Sequence, residues 1–306
     1  MLIPANRRIA AIPHLRNFLA DTPRAVVGWG RKRSGRRAQR WAGWLGRPCV
    51  LLEDGFVRGV GRDDPPLALV LDDLGVYYDA TAPSALERIV AAGIGEAEAA
   101  RARLLARLWC DGGVSKYNHA GDHAGALPDD FVLVVDQTFG DLSVALGLAD
   151  QRRFAAMLAA ALDENPASEI VVKVHPDVFA RARRGWLDLS APLPGRVTVI
   201  GSDCHPARLL DGARAVYTVT SLMGFEALLR DKPVRCFGMP FYAGWGLTVD
   251  DLPPPARRGR ATLAALVHGT LVTQSRYVDP ASGEAWQAEQ AIAHVAAARR
   301  AMARVA

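Results

Sequence analysis

The chain has 306 residues, of which 50% are hydrophobic and 23% are charged, so it can bury the cores of two ordinary domains and is not a disordered chain. Its formal net charge of +5 suits anionic small molecules or an anionic membrane surface, and the sequence lacks nucleic-acid motifs, so we expect no nucleic-acid partner. The four cysteines lack zinc-site spacing, and no signal peptide or membrane-spanning run is found, which predicts a cytoplasmic protein.

Short apolar runs alternate with helical patterns along the chain, which predicts α/β architecture with parallel sheets. Strands are predicted at 25–30, 49–53, 67–71, 131–135, 170–174, 197–200, 215–219 and 234–237. Helices are predicted at 35–45, within 84–109, and at 152–162, 225–229, 263–271 and 283–304. The polar stretch 118–130 is predicted to link two domains. We therefore expect two Rossmann-like domains, 1–125 and 126–306, facing a cleft in a GT-B arrangement, with the terminal helices in the second domain.

Two motifs in the first half end predicted strands. Gly28 and Gly30 flank a tryptophan and precede Lys32; glycine lets the backbone approach a ligand and the cation binds carboxylate or phosphate. A solvated basic turn is the alternative. Glu53 is a candidate general acid or base, and Arg58 can fork onto a carboxylate. An internal ion pair that fixes the loop is the alternative here.

The acidic pair Asp72-Asp73 also follows a predicted strand. Paired acids are compatible with a divalent cation, but the spacing fixes no third ligand, and either acid can cap a helix or a turn. We therefore predict no metal site.

The second half carries a carboxylate and a histidine at the ends of neighbouring predicted strands. Asp141 follows a glycine and is a candidate nucleophile, with helix capping as the alternative; Gln137 can orient a sugar hydroxyl. Lys173, His175 and Pro176 end the next strand, where a histidine can donate to a leaving phosphate. Ligands bind beyond the carboxyl ends of strands in open α/β sheets, so this pair favours group transfer from a phosphate-activated substrate.

A strand-to-helix turn follows at Thr220 and Ser221, with Glu226 in the same segment. Hydroxyls and N–H groups at such a turn suit an anion, and ordinary N-capping completed by Glu226 is the alternative. The combination of a His-Pro strand end and a Ser/Thr turn suits a CMP-linked donor.

Together these segments resemble the bacterial capsule-assembly β-Kdo transferases of the KpsC type. The segments are Gly28–Gly30, Leu52–Arg58, Asp72–Asp79, Ser115–Asn118, Val135–Asp141, Lys173–Asp177, Thr220–Leu228 and Trp245–Leu247. The likeness runs from about Ile12 to about Pro280. Typical members carry two transferase modules in tandem, and this chain matches the first. It is therefore a single-module protein, a piece of a longer one, or a partner for a separate second module.

The resemblance implies a retaining glycosyltransferase that uses CMP-β-Kdo to build the poly-Kdo linker on the lipid anchor of capsular polysaccharide. The acceptor would be a Kdo-terminated phosphatidylglycerol-type glycolipid at the cytoplasmic face of the inner membrane, which the protein would contact peripherally. Asp141 would be the nucleophile, His175 and Ser221 would serve the CMP side, and Glu53 and Arg58 would serve the Kdo or acceptor side. No metal or other cofactor is expected, and capsule-assembly proteins are expected partners.

Three other functions remain open at this stage. Another CMP-sugar transferase, such as a sialyltransferase, would differ in its donor. A non-catalytic capsule-assembly component would release no CMP. A sugar epimerase would turn over a nucleotide sugar without an acceptor.

Overall fold

The apolar runs form two six-stranded sheets in a computed structural model that describes residues 1–61, 63–179, 184–190 and 192–303. The chain divides into two units. The first unit comprises residues 1–77, 82–119 and the segment from 264 onwards, and the second comprises 78–81 and 120–263. Among the residues described, no helix combines the length and apolar character needed to cross a bilayer.

Twelve strands are described. In chain order they are β1 Ile3–Pro4, β2 Val26–Trp29, β3 Cys49–Asp54, β4 Ala68–Asp72, β5 Phe131–Val135, β6 Glu169–Lys173, β7 Val197–Ile200, β8 Ala215–Thr218, β9 Val234–Cys236, β10 Val249–Asp250, β11 Ser275–Val278 and β12 Ala285–Trp286. Every strand predicted from the sequence is present, with ends that differ by at most one residue. The strands β1, β10, β11 and β12 were not predicted, because β1, β10 and β12 have two residues each and β11, Ser-Arg-Tyr-Val, is not a continuous apolar run.

Twelve α-helices are described in the same residues. They are α1 Arg7–Ala10, α2 Leu15–Phe18, α3 Arg33–Leu45, α4 Ala85–Ala92, α5 Glu96–Asp111, α6 Leu142–Leu146, α7 Gln151–Glu164, α8 Pro176–Phe179, α9 Ala207–Gly212, α10 Leu222–Leu228, α11 Leu263–His268 and α12 Ala288–Ala303. A π-helical turn, Gly269–Thr273, continues α11. The predicted end of the last helix, Arg304, lies outside the described residues.

The first sheet has the order β1-β2-β3-β4-β11-β12. Strands β1, β2 and β3 are parallel, but β3–β4, β4–β11 and β11–β12 pair antiparallel. The prediction of a parallel sheet is therefore wrong for this unit. An apolar run predicts a buried strand in either direction, so the sequence pattern did not reveal the reversal.

The terminal segment belongs to the first unit, contrary to the predicted second domain of 126–306. Pairing of β11 with β4 draws the chain back to the first sheet. The Arg101 guanidinium then ties α5 to α12 through two hydrogen bonds to the Glu289 carboxylate, 2.7 and 2.8 Å long. The predicted linker also begins inside this unit, because the buried Asn118 side chain accepts from the Ser115 amide and donates to the Arg58 carbonyl.

The second sheet is parallel throughout and has the order β10-β9-β8-β5-β6-β7. Its first strand in sequence, β5, lies in the middle, and the chain winds outward first to one side and then to the other. This is the doubly wound Rossmann order, whose direction reverses between β5 and β8. Strand β5 is buried along its full length and packs with α7 in one apolar cluster. The predicted Rossmann-like topology is thus present in this unit.

Candidate active site

The carboxyl ends of β5 and β8 meet where the winding of the second sheet reverses. The two strands are parallel neighbours in register, with Val135 opposite Thr218. Ligands of open α/β sheets bind in the crevice outside the strand ends at this point, because the connecting loops diverge there. The loop after β5, residues 136–141, and the turn after β8, residues 219–221, are therefore the candidate site's centre.

A hydrogen-bonded clamp joins these two strand ends. The Gln137 side-chain oxygen accepts from the Thr220 amide at 2.9 Å, and its side-chain nitrogen lies 3.0 Å from the Thr220 hydroxyl. The Ser143 hydroxyl lies 3.3 Å from the same Thr220 oxygen. Both Gln137 and Thr220 are buried. The two side chains thus fix the geometry of the loops, and the Gln137 amide is engaged with protein groups.

Asp136, which the sequence analysis did not select, is the most perturbed carboxylate at this edge. It is buried, and its Oδ1 accepts from the amides of Trp186 and Leu187 at 3.2 and 3.1 Å. Its Oδ2 has no hydrogen-bond partner among the described residues. Burial raises the pKa of Asp136 from 3.8 to about 6, against the lowering effect of its amide donors. An acid directly after an apolar strand was the available signal.

The loop after β5 is held on its other side by the segment that contains Trp186. The Phe139 amide donates to the Arg184 carbonyl at 2.8 Å, and the Trp186 indole nitrogen donates to the Thr138 carbonyl at 3.1 Å. The Trp186 ring packs on Phe139 with centroids 4.5 Å apart and stacks on Phe154 at 5.4 Å. The loop is therefore anchored at both flanks.

Asp141 ends this loop and is exposed. Gly140 before it has φ +87°, a conformation that side chains disfavour, so a glycine is needed to turn the chain. The Asp141 Oδ1 accepts from the Ser143 amide at 3.0 Å and caps α6. Asp141 therefore caps a helix, as the alternative interpretation of the sequence predicted. The capping bond does not bury the carboxylate, which remains exposed to solvent beyond the sheet edge.

The end of β6 lies beside the end of β5. The Asp136 amide donates to the Lys173 carbonyl at 2.9 Å, so residues after both strands share one sheet edge. The buried Lys173 ammonium donates to the carbonyls of Val174 and Ser202 at 2.7 and 3.0 Å, and burial lowers its pKa. Half-buried His175 follows, and Pro176 opens α8. Proline suits that first helical position, since its missing N–H would have no helical partner.

The turn after β8 is rigid. The Ser221 hydroxyl caps α10 by accepting from the Met223 amide at 3.3 Å, and its carbonyl accepts from the buried Tyr242 hydroxyl at 2.5 Å. Glu226 does not complete this cap as a capping box would require, because it lies five residues after Ser221 and is fully buried inside α10. It is therefore remote from the strand end.

In the first unit, Gly28 and Gly30 serve the contact between β2 and α3. A Cβ on Gly28 would lie 2.6 Å from the Gly35 Cα, so a side chain here would push α3 off the strand. Gly30 has φ +37°, and its amide donates to the Leu52 carbonyl at 2.9 Å. Lys32 is exposed at the start of α3, with its ammonium 6.0 Å from the Trp29 ring centroid.

Glu53 and Arg58 lie at and after the end of β3, beside Gly30. Glu53 is half-buried. The Arg58 guanidinium donates to the Asp54 carboxylate at 3.0 Å, so the predicted internal ion pair exists, with Asp54 as its acid. The parallel neighbours β2 and β3 thus bring Gly30, Glu53 and Arg58 to one edge of the first sheet.

In the acidic pair at the end of β4, the buried residue Asp72 has a structural role. Asp72 accepts from the amides of Leu74, Gly75 and Ala85 and from the Gln274 side chain. It therefore caps the turn and the start of α4, as the capping alternative predicted. No cluster of three or more His, Cys, Asp or Glu side chains suited to a metal ion occurs in the described part of the chain.

Comparison with known proteins places this geometry in a family. The family described as "Capsule polysaccharide biosynthesis protein" matches residues 24–112 and 118–277. The capsule polysaccharide modification protein LipA of Neisseria meningitidis serogroup B is 38% identical over 96% of this chain and 45% of its own length. The lipopolysaccharide-processing protein LpsZ of Rhizobium meliloti is 36% identical over 92% of this chain and 66% of its own length. The chain thus spans less than half of LipA.

Two solved structures from Thermosulfurimonas dismutans KpsC are similar. One, described as a beta Kdo 2,4 transferase, has a TM-score of 0.87 and 39% identity, covering 96% of this chain and 97% of that one. The other, described as a beta Kdo 2,7 transferase, has a TM-score of 0.66 and 28% identity, covering 93% and 89%. The resemblance to KpsC-type β-Kdo transferases drawn from the sequence is confirmed, and the chain belongs to the family of capsule polysaccharide biosynthesis proteins.

Proposed function

We propose that this chain is a retaining β-Kdo glycosyltransferase that takes Kdo from CMP-β-Kdo and forms a β-2,4 linkage. The observation that carries the proposal is the likeness, over nearly the whole chain, to the KpsC structure described as a beta Kdo 2,4 transferase. The 2,7 transferase structure is less similar in both identity and TM-score, which favours the 2,4 linkage.

The donor is proposed to bind at the carboxyl edge of the second sheet. The doubly wound order supports this, because its reversal point lies between β5 and β8. Asp141, His175 and Ser221 follow three strands whose carboxyl ends share that edge. A carboxylate, an imidazole and a hydroxyl in that arrangement suit a reaction at a carbon whose leaving group is a phosphate ester.

The reaction is proposed to run in two displacements. In the first, a carboxylate oxygen of Asp141 attacks the anomeric carbon of Kdo, and the bond from that carbon to the phosphate oxygen breaks. CMP leaves with the electron pair. In the second, an acceptor hydroxyl attacks the same carbon, its proton passes to a base, and the bond to Asp141 breaks. Two inversions at one carbon give net retention.

The other donor-side residues are proposed to stabilise and orient. His175 would donate to the departing phosphate, and Ser221 would bind the CMP group with its hydroxyl hydrogen. The Lys173 ammonium donates two of its three N–H groups to backbone carbonyls, which hold it close to the strand end. Its proposed contribution is therefore its positive charge, which would stabilise the negative charge of the phosphate. Gln137 and Thr220 hold the two loops together, which makes them positioning residues in this proposal.

The acceptor side rests on the sequence resemblance alone. We assign Glu53 as the base for the acceptor hydroxyl and Arg58 as a Kdo-carboxylate ligand on that ground. The same ground supports a GT-B arrangement, a Kdo-terminated glycolipid acceptor, capsule-assembly partners, no metal or other cofactor, and a place at the cytoplasmic face of the inner membrane. A second transferase module is an expected partner, since this chain spans 45% of LipA.

The test is mass spectrometry of the protein with CMP-Kdo and a synthetic Kdo-terminated acceptor. Wild-type protein should release CMP and extend the acceptor by one Kdo. Asp141→Asn keeps a side chain that can cap α6 but removes the nucleophile, so we expect turnover to fall by about a thousandfold or more. Asp150→Asn is the matched control, because Asp150 caps α7 in the same way, with its Oδ1 accepting from the Arg152 amide at 2.9 Å.

A covalent Kdo adduct on Asp141 would support the two-step path directly. Near-normal transfer by Asp141→Asn, or equal losses in both variants, would refute the nucleophile assignment. A donor panel that includes a CMP-linked sialic acid tests the donor: preference for that sugar would overturn the Kdo assignment. Absence of CMP release with every donor would favour a non-catalytic component.

A further inference from the structure

The solvent face of α3 carries a stripe of arginines that ends in an exposed tryptophan. Positions four, three and four residues apart lie on one face of a helix. Along α3 these positions hold Arg33, Arg37, Arg40 and Trp44, and Arg36 lies beside them. We call these five residues the α3 stripe.

The opposite face of the helix is committed to the core of the first unit. Its buried residues are Ser34, Gly35, Ala38 and Ala42, which lie against β2. The stripe therefore faces away from the sheet. Trp44 is 84% exposed, and Leu45 next to it is 41% exposed. An indole this exposed contributes nothing to the core, which leaves its presence unexplained by folding.

The charge around the stripe has one sign. Residues 22–52 contain eight Lys or Arg and no Asp or Glu. Within the described residues, no ion pair involves the stripe arginines, although the Arg37 guanidinium lies 5.6 Å from the Trp41 ring centroid. Neutralisation by neighbouring acids is therefore not found, and the stripe presents its full positive charge to solvent.

We propose that the α3 stripe docks this chain on the surface of an anionic phospholipid bilayer. The arginines bind lipid phosphates, and Trp44 with Leu45 enters the interface between headgroups and acyl chains. A basic helix face with a tryptophan and a leucine at one end is the composition that lies in the plane of such a surface. Nucleic acid would bind the arginines but would leave Leu45, next to the stripe, in water, whereas a bilayer accounts for the stripe and Leu45 together.

The long helix α12, which also carries more arginines than acids, does not offer this combination. Among the apolar residues of α12, Ala291, Ile292 and Val295 are buried in the first unit, and Met302 near the end of the helix is 45% exposed. Its Arg299 donates to the Asn118 carbonyl at 2.7 Å. Most of its apolar side is thus used for packing, and its exposed apolar group is a methionine, whereas α3 exposes a tryptophan, the side chain that favours a membrane interface.

This docking gives a surface to the membrane contact that the proposed function includes, but it depends on no step of the proposed transfer reaction. It concerns binding to lipid, which is measured without donor or acceptor. A chain that fails to transfer Kdo can still bind vesicles through α3, and a chain that fails to bind vesicles can still act on a water-soluble acceptor. The two proposals are therefore separable by experiment.

The test is co-sedimentation of the full chain with vesicles of phosphatidylcholine containing about one third phosphatidylserine, an anionic lipid unlike the proposed acceptor, compared with pure phosphatidylcholine. We expect binding only to the anionic vesicles, weakened by added salt. Arg36→Gln with Arg40→Gln should lower the partition coefficient about thirtyfold, since each cation near the surface contributes about fivefold. Trp44→Ala should lower it about tenfold, because the indole leaves the interface.

The control variants remove exposed arginines and an exposed apolar side chain from helices other than α3. Arg16→Gln with Arg107→Gln removes two exposed charges from α2 and α5, and Leu104→Ala removes a side chain that is 41% exposed on α5. Both should bind like wild type. Equal binding to neutral vesicles, or losses that match in stripe and control variants, would overturn the proposal. So would stripe-dependent binding to oligonucleotides or self-association in place of vesicle binding.

Discussion

Replacement of Asp136 by asparagine tests the buried carboxylate at the end of β5. Its folded-state pKa of about 6 lies above the unfolded value of 3.8. Between these values the folded chain binds more protons than the unfolded chain, so the free energy of unfolding falls as the pH rises. Because one pKa unit is worth about 1.4 kcal/mol, ionised Asp136 costs about 3 kcal/mol once the pH exceeds about 6.

The assay is urea unfolding of wild type and Asp136→Asn, followed by tryptophan fluorescence between about pH 4 and about pH 7. Asparagine does not titrate. Any change in the free energy of unfolding that comes from packing its amide at this position is therefore the same at every pH. We expect the variant's stability relative to wild type to rise by about 2 to 2.5 kcal/mol across this range. Asp163→Asn, an exposed position on α7, is the control and should show no such trend. A pH-independent difference for Asp136→Asn would refute the reasoning.

Two further predictions concern packing. Gly28→Ala would put a Cβ 2.6 Å from the Gly35 Cα, so we expect a loss of about 1 to 3 kcal/mol and a lower Tm in thermal unfolding. Gly43→Ala on the same helix meets no atom within 4 Å and should preserve or raise the Tm; equal effects would contradict the argument. Tyr242→Phe removes the bond to the Ser221 carbonyl and should cost about 1 to 2 kcal/mol in urea unfolding. Unchanged stability would show that water replaces this bond.

The candidate donor site depends on a topological feature more than on any one motif. Gln137 and Thr220 are 83 residues apart in sequence, yet their side chains bond because β5 and β8 are neighbours. This neighbour relation arises at the reversal of the strand order, where a doubly wound sheet opens a crevice. The clamp therefore joins the Gln-containing loop to the Ser/Thr turn, and both belong to segments that resemble KpsC-type transferases.

The α3 stripe offers a reason for the mild excess of positive charge. Residues 22–52 hold eight Lys or Arg and no Asp or Glu, and this local excess is larger than the formal net charge of +5 of the whole chain. The remainder of the sequence is thus slightly acidic. A local excess of positive charge on and around one helix favours an approach to an anionic surface with that helix first.

Local sequence determined much about this protein. The run Phe131–Val135 is short, apolar throughout and rich in valine, which predicts a strand buried on both faces, and its ends were predicted correctly. The Ser221 and Asp141 caps follow from residue type at a strand-to-helix turn. The ordered motifs also identified the family, because their spacing over the chain is more specific than any single residue.

The tertiary structure alone decided the rest, because it depends on contacts between residues distant in sequence. The return of β11 and α12 to the first unit requires pairing with β4, some two hundred residues earlier, and nothing local encodes a pairing partner or its direction. The raised pKa of Asp136 requires the burial that Trp186 and its neighbours supply. The exposure of Trp44 also depends on the tertiary structure. The helical pattern predicts that Trp44 lies opposite the core, but only the packed unit shows that no neighbouring segment covers it.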